Sequence, residues 1–192
     1  MGMALTVPRY TVADLEEFPD DGNRYELLDG MLLVTPLASA PHQTIAARLV
    51  GMLHLVLVAQ RLATVFSPGV VTLPPLVHLE PDLLVVPSHY PIGTSWVEMT
   101  EHWLAVEIFS RSSRRYDRDF KRNAYIALGV QQVWLIDTVD RSVEVCTKRG
   151  AGDIKRDAFE WIVPARNLHM TIDLIELFAG LPSPIPERNR FY

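Results

Sequence analysis

The sequence predicts a mixed α/β protein, and three observations lead to this prediction. Short apolar runs of the kind that fill a buried sheet recur along the chain, among them DLLVVP, WLAVEIFS and VQQVWLIDT. A helix-like segment precedes these runs and another stands between the last two, so that helix, strands, helix and strand follow one another. The 192 residues, 48% of them apolar and 21% charged, are enough for one globular domain with a sizeable core. We therefore expect a single domain over residues 1–192.

Residues 1–38 are predicted to extend this domain with a short helix and a β-hairpin. Thr11 followed by Asp14 is typical of a helix N-terminus, which predicts a short helix in TVADLEEF. In RYELLDGMLLVTP the pair Asp29-Gly30 separates two apolar runs, and this pattern indicates a hairpin with a tight turn.

A long helix is expected next, starting at Ser39 or His42 and ending near Arg61. Its second half, Leu49 to Ala59, is apolar almost all round. This pattern predicts either burial within the chain or packing against a second copy. The run is too short to span a bilayer and contains a histidine, so we expect no membrane association.

The remaining elements follow from the same signals. Strands are expected in ATVFSPGVVTL and in the three apolar runs, and a helix from roughly Arg115 to Leu128, ended by Gly129, should separate the last two. RSVEVCT is expected to pair with VWLIDT, and WIVPA to add a further strand. Thr171 is expected to cap a short helix in IDLIELFAG, and residues 181–192 are expected to form an extended proline-rich tail.

Charge and cysteine content restrict the possible functions. The net charge of −5 argues against binding nucleic acid through the whole surface. Residues 111–122, however, carry six basic and two acidic side chains, and this local charge of +4 indicates either a nucleic-acid contact or a solvated helix face. The single cysteine allows no internal disulfide, which is typical of a reducing cytoplasm, and the N-terminus lacks the pattern of a secretory signal. We therefore expect a cytoplasmic protein.

Glu107 is the residue that raises a chemical question, because it lies inside the apolar run WLAVEIFS. In a strand it shares a face with Ala105 and Phe109, and a buried carboxylate there needs a proton, a cation or a metal ion. Asp82 stands at the head of the strand DLLVVP. If the two strands are neighbours, both carboxylates converge at one sheet edge, where a hard divalent cation such as Mg²⁺ would relieve their repulsion.

Pro81-Asp82, followed by Glu107 on the next core strand, resembles the PD-(D/E)xK nuclease superfamily. Together with RYELLDG, a His-Gln pair, an aspartate four residues before a lysine, and GVQQVWLID, the pattern resembles the Uma-two family of restriction endonuclease-like proteins. The resemblance covers roughly Arg24 to Asp137. It implies a restriction-endonuclease-like core, with a central mixed β-sheet flanked by helices and an N-terminal hairpin extension.

The sequence also departs from the common pattern. Phe109 stands where the superfamily lysine is usual, two residues after the second acid, and the resemblance moves that role to Lys121 in the following helix. The alternative is that Asp117 and Lys121 form an i,i+4 surface pair worth about 0.3–0.5 kcal/mol. Arg111 replaces a proline and Val133 an aromatic residue that are usual in the family.

The resemblance implies a site in which Asp82, Glu107 and the backbone carbonyl of Ile108 hold Mg²⁺, with Mn²⁺ as a substitute, and in which Lys121 positions water or offsets developing charge. Glu26 matches a family glutamate and is expected to add a fourth catalytic group, the alternative being a salt bridge to an arginine. His42 matches a family histidine and is expected to line the site.

The function so implied is a metal-dependent endonuclease that cuts phosphodiester bonds in DNA, acting as a homodimer or higher homo-oligomer. Five arginines are expected to contact DNA phosphates: Arg111, Arg114, Arg115, Arg118 and Arg122. Two alternatives stay open. One is a catalytically inactive nucleic-acid-binding or homo-oligomeric protein on the same fold, and the other is metal-assisted hydrolysis of a different phosphate ester.

Overall fold

The computed structural model describes residues 8–109, 120–148, 150 and 152–182. The strands are β1 (Arg24–Leu28), β2 (Met31–Thr35), β3 (Ala63–Phe66), β4 (Val71–Leu73), β5 (Val77–Leu79), β6 (Leu83–Pro87), β7 (Leu104–Phe109), β8 (Gln132–Asp137), β9 (Ser142–Cys146), β10 (Asp153–Lys155), β11 (Ala158–Val163) and β12 (Leu168–Asp173). The helices are a 3₁₀ helix (Val12–Glu17), α1 (Ala40–Leu53), a π-helical turn (His54–Val58), α2 (Arg122–Ala127) and α3 (Leu174–Leu177). The predicted mixed α/β class is confirmed.

A six-stranded mixed sheet forms the centre of the fold, in the order β10-β9-β8-β7-β6-β3. Strands β7 and β8 are parallel, and every other neighbouring pair in this sheet is antiparallel. Helix α2 lies in the connection between the two parallel strands, because a parallel pair needs a long crossover. A second sheet has the order β2-β1-β5-β4, and β11 and β12 form a separate hairpin.

The two faces of the central sheet carry separate parts of the core. On β7, Leu104, Val106 and Ile108 pack with residues of α1, α3 and the β11–β12 hairpin. Ala105 and Phe109 face the other side and pack with Tyr125 of α2 and with residues of β4 and β5. Because side chains of a strand alternate between faces, Glu107 belongs to this second side, as the alternation predicts.

The N-terminal hairpin is part of a larger sheet than the sequence predicts. Asp29 and Gly30 both have positive φ, 50° and 76°, as a tight hairpin turn requires. Strand β1 also pairs with β5 through Leu27 and His78, so the hairpin continues into the segment that leads to Asp82. The hairpin therefore holds one side of that segment.

Helix α1 begins at Ala40, with Ser39 as its N-cap, and its last residue is Leu53. The chain then continues as a π-helical turn instead of an α-helix to Arg61. Leu49, Leu53 and Leu57 are fully buried within the chain, whereas Leu55 is 75% exposed. In the part of the chain that the structure describes, no helix is both long and apolar enough to cross a membrane.

One predicted helix cap is wrong. Thr171 lies in β12, where it is exposed between the buried residues Met170 and Ile172, a strand alternation that the sequence also contains. The residue that caps α3 is Asp173, whose Oδ1 accepts hydrogen bonds from the N–H groups of Ile175 and Glu176. Of the helix predicted over 115–128, the described part is α2 and the residues directly beside it; residues 110–119 and the tail 183–192 lie outside the described ranges.

A substitution at Gly69 provides a test of how tightly the loop before β4 packs on the central sheet. A Cβ atom at this position would overlap the side chain of Leu84 in β6, whereas a Cβ at Gly51, on the exposed side of α1, would meet no atom within 4 Å. We expect Gly69→Ala to lower the free energy of unfolding by about 1–3 kcal/mol through overpacking. Gly51→Ala should raise it by up to about 1 kcal/mol.

Urea denaturation of the two variants beside the wild type measures both effects. Equal stability of Gly69→Ala and Gly51→Ala would contradict the packing described for the loop.

Candidate active site

Asp82 and Glu107 lie on neighbouring strands of the central sheet. Strands β6 and β7 are antiparallel, with Leu84 opposite Ala105 and Leu83 opposite Val106. One step further in the same register brings Asp82, the residue just before β6, opposite Glu107. The backbone N–H of Ile108 donates a 2.7 Å hydrogen bond to Asp82 Oδ2, which fixes this meeting of the two segments.

Three groups hold the Asp82 carboxylate. Arg24 Nη1 lies 2.9 Å from Oδ1, and His42 Nε2 lies 2.9 Å from Oδ2, which also accepts the bond from Ile108. Burial alone would raise the pKa of Asp82, but His42, Arg24 and the Ile108 N–H outweigh it and hold this pKa below its usual value. Asp82 is therefore ionised at neutral pH although it is only 5% exposed.

Lys121 joins the two glutamates. Its Nζ lies 2.7 Å from Glu26 Oε2 and 3.2 Å from Glu107 Oε1. The contact between Lys121 Nζ and Glu26 Oε2 is short enough for an ion pair, but it does not have the geometry of a hydrogen bond. Lys121 immediately precedes α2, and one turn later Tyr125 donates a 2.6 Å hydrogen bond to the same Oε1 of Glu107.

Glu26 lies behind Lys121 and is fully buried. Its Oε1 accepts a 2.8 Å hydrogen bond from the backbone N–H of Glu80, two residues before Asp82. The alternative prediction, a salt bridge from Glu26 to an arginine, is not seen among the described residues. The cation that pairs with Glu26 is Lys121. Arg24, two residues earlier on β1, reaches Asp82 instead.

These contacts bring several charged side chains together in a place from which solvent is largely excluded. The side chains of Glu26, Glu107 and Lys121 are each no more than 3% exposed. Burial raises the pKa of Tyr125, and the negative charges of Glu107 and Glu26 raise it further, so its hydroxyl stays a hydrogen-bond donor. For Arg24, burial alone would lower the pKa, but attraction to the site carboxylates, Asp82 first, raises it above the usual value.

The site opens into a cavity of about 220 Å³. Its wall includes Asp82, Glu107 and Lys121, together with His42 and Arg24. The segment 35–39, which joins β2 to α1, forms another side of this cavity. A second cavity of about 140 Å³ shares Arg24, His42 and Asp82 with the first, so these three side chains are accessible from two directions.

The donor set suits a hard divalent cation. Asp82 and Glu107 offer carboxylate oxygens at one cavity, and Mg²⁺ typically takes only one or two protein carboxylates and fills its other positions with water or phosphate oxygens. Among the described residues no group of three or more His, Cys, Asp or Glu side chains is arranged to hold a metal ion. Two carboxylates at one cavity fit Mg²⁺ better than a zinc site built from three or four protein ligands.

The structure thus brings together six of the residues singled out from the sequence: Glu26, His42, Asp82, Glu107, Ile108 and Lys121. Glu26 is the one of these that stays outside the cavity wall. Arg122 is described and contacts Asn123 and, at 3.6 Å, Glu144. Arg111, Arg114, Arg115 and Arg118 lie outside the described residues.

Two contributors were missed from the sequence, Arg24 and Tyr125. A signal for Tyr125 was available, because residues four apart on a helix share a face and Tyr125 follows Lys121 by four. No local pattern connects Arg24 with Asp82, because their contact spans 58 residues of chain.

Comparison with known proteins agrees with this architecture. A family model described as "Uma2: Putative restriction endonuclease" matches residues 12–171. The crystal structure of a "putative nuclease belonging to DUF820" from Anabaena variabilis is similar to the chain, with a TM-score of 0.71 and 20% identity over 88% of this chain and 97% of that one. At this identity the likeness is one of fold, and the predicted restriction-endonuclease-like fold is confirmed. No curated protein matches the chain significantly.

Lys121→Met is expected to destabilise the protein strongly. The substitution removes the ammonium between two buried carboxylates, and loss of one partner of a buried ion pair costs about 3–5 kcal/mol. Lys155→Met is the matched control, because Lys155 pairs with Asp153 at the surface, where both side chains are at least 34% exposed. Its loss should change the free energy of unfolding by less than about 1 kcal/mol.

Denaturation in urea measures the difference between the two variants. Similar losses for both would show that the ammonium of Lys121 is not an essential part of the buried cluster.

Proposed function

The chain belongs to the Uma2 restriction endonuclease family, and from that premise we propose that it is a metal-dependent endonuclease that hydrolyses phosphodiester bonds in DNA. The observation that carries the proposal is the convergence of Asp82 and Glu107 at one cavity, with the ammonium of Lys121 at 3.2 Å from Glu107 Oε1. A metal ion held by two carboxylates can lower the pKa of its bound water, and an adjacent ammonium can offset the charge that develops on the phosphoryl oxygens.

Asp82, Glu107 and the carbonyl of Ile108 would hold Mg²⁺ or Mn²⁺. A metal ion bound there supplies polarisation of the phosphate and a water of lowered pKa. His42 and the Ile108 N–H keep the Asp82 carboxylate oriented toward the cavity, and Tyr125 does the same for Glu107. The role of these residues is to fix both carboxylates before substrate binds. This lowers the entropic cost of bringing the reacting groups into position.

Lys121 places a positive charge 3.2 Å from Glu107 Oε1. We assign it the role of orienting the attacking water or of offsetting the negative charge that develops on the phosphoryl oxygens. Glu26 acts through Lys121, because it contacts the ammonium and is not part of the cavity wall. Glu26 is therefore a positioning residue in this proposal and does not touch the substrate.

The arginines of residues 111–122 would contact phosphates of the DNA backbone, which gives affinity without sequence preference. Arg122 is the described member of this group, with a quarter of its side chain exposed. Exposed Leu55 beside α1 is consistent with self-association through this helix, although three other leucines of the segment are buried within the chain. We propose a homo-oligomer, because two copies could cut both strands of a duplex.

A catalytically inactive nucleic-acid-binding protein is the second candidate. It is favoured by Phe109, which takes the strand position usual for the lysine and is buried in the core, and by the net charge of −5. Salt-sensitive DNA binding without metal-dependent cutting would support this candidate over the nuclease.

Asp82→Asn and Glu107→Gln should each lower the rate of plasmid cleavage in Mg²⁺ by at least about 100-fold, because each removes a carboxylate charge that would hold the metal. Glu160→Gln is the matched control: Glu160 is an exposed glutamate paired with His169 on the β11–β12 hairpin, away from the cavity. Its cleavage rate should equal that of the wild type. Circular dichroism checks that all three variants fold.

Equal cleavage by the wild type and both site variants would exclude Asp82 and Glu107 as the catalytic carboxylates.

Removal of the metal provides an independent check. Plasmid cleavage by the wild type should stop in excess EDTA and return when Mg²⁺ or Mn²⁺ is added beyond the chelator, because the carboxylates need a hard cation to act. The same cycle with Asp82→Asn should give no cleavage at any stage. Persistent cutting in EDTA would rule out a metal-dependent reaction.

A further inference from the structure

The smaller of the two cavities at Asp82, about 140 Å³, has no role in the reaction proposed for this site. Arg24, His42 and Asp82 line both cavities, whereas Glu107 and Lys121 line the larger cavity and not the smaller one. The two cavities therefore meet at Asp82. A molecule that binds in the larger cavity through a phosphate can place a neighbouring group in the smaller one.

The walls of the smaller cavity offer surface on which a flat ring can pack. Pro36, Leu37 and Pro68 line it, and all three are exposed, Leu37 by 81%. Arg24 adds a guanidinium to the same lining. Unpaired nucleobases in protein complexes stack on planar arginine side chains and on apolar groups. A nucleobase is therefore a ligand that these walls fit.

One side chain of the smaller cavity can bind the edge of such a ring. Gln43 lies near the N-terminus of α1, is exposed, and lines the smaller cavity but not the larger one. Its amide carries donors and an acceptor, the combination with which a glutamine binds a base edge. Ser67 also lines this cavity, but its hydroxyl already donates a 2.9 Å hydrogen bond to the carbonyl oxygen of Asp82. Gln43 is therefore the candidate for distinguishing one base from another.

The size of the smaller cavity restricts what can enter it. Pockets for drug-sized ligands have volumes of about 300–1,000 Å³, and this cavity lies well below that range at about 140 Å³. It has room for one ring system but not for a base pair. A base that enters it must therefore be unpaired, and a base within a duplex would first have to leave the stack.

We propose that the smaller cavity receives the unpaired base of the nucleotide at the scissile phosphate, and that Gln43 determines which base binds best. A nucleotide joins its phosphate to its base through a single sugar, so two cavities that meet at one carboxylate can hold both parts. The preferred substrate is then DNA with unpaired nucleotides, such as a single strand or an overhang, and an intact duplex is cut more slowly. This inference rests on the proposed function, because it takes Asp82 to act at the scissile phosphate.

The first test measures base preference in a pool of single-stranded oligonucleotides with a randomised central stretch. The wild type cuts the pool in Mg²⁺, and sequencing of the cut ends gives the base frequencies on each side of the broken bond. At one position beside the cut, the best base should be preferred at least about fivefold over the poorest, as one base-edge contact provides. The preference is a ratio between substrates that compete in one reaction, so it does not depend on how much of the protein is folded.

Gln43→Ala should reduce this preference to about twofold or less, because alanine has no side-chain group that hydrogen-bonds a base edge. Gln43→Glu should move the preference toward cytosine, whose amino group donates to a carboxylate. Gln60→Ala is the matched control, because Gln60 is an exposed glutamine outside the walls of both cavities. Its base preference should equal that of the wild type.

Equal base frequencies at every position beside the wild-type cut would overturn the proposal. An unchanged preference in Gln43→Ala would overturn it as well, because the discrimination would then come from another group.

The second test compares the cutting of a single strand with that of the same strand in a fully paired duplex. The strand carries the preferred base and should be cut at least about tenfold faster when it is single, because the duplex has to release the base first. A duplex with a mismatch at that position should recover part of the difference. Equal or faster cutting of the paired duplex would contradict the requirement for an unpaired base.

Failure of the proposed function itself has a different signature. Wild-type protein that cuts none of these substrates in Mg²⁺ or Mn²⁺ would remove the nuclease and this inference with it. Cutting that Asp82→Asn abolishes, combined with no base preference and equal rates on single and paired strands, would leave the nuclease in place and overturn only the role of the smaller cavity.

Discussion

The structure depends on compensating three buried carboxylates that meet at one edge of the central sheet. Each carboxylate comes from a different segment of the fold: Glu26 from the N-terminal sheet, Asp82 from the lead into β6, and Glu107 from β7. Isolated, any one of them would cost several kcal/mol to bury in ionised form. The compensation by Arg24 and Lys121 is therefore a tertiary constraint, because neither cation lies on the same element as the carboxylate that it contacts.

This constraint explains why the N-terminal hairpin belongs to the site. Strand β1 supplies Arg24 to one acid and Glu26 to the lysine, two residues that share a strand face. Through Glu80, whose N–H donates to Glu26 and whose carbonyl accepts from Arg24, the hairpin also fixes the backbone just before Asp82. A site built this way loses several contacts at once when one member is removed, so the effects of substitutions around it should not add.

The sequence predicts the parts of this arrangement that have a local signal. Strand alternation identifies the face of Glu107, and Asp29-Gly30 identifies the hairpin turn. The pairing of β1 with β5 carries no such signal, so the contact between Arg24 and Asp82 could not be foreseen. At Thr171 a local signal gave a wrong prediction. Its side chain could cap a helix, but Thr171 lies in a strand because its neighbours Met170 and Ile172 are buried. At this position tertiary packing overrides the local preference for a helix cap.

In the proposed site, Lys121 takes the role of the lysine that is usual at the position of Phe109. At the strand position two residues beyond Glu107, Phe109 packs in the same part of the core as Tyr125. The amine instead comes from the residue before α2, and it still reaches Glu107 Oε1, which Tyr125 contacts from one turn further on. A lysine stem is long and flexible enough to deliver its charge from either element. In the proposed site the requirement is an ammonium at that carboxylate oxygen, and either element can supply it as long as an apolar side chain fills position 109 in the core.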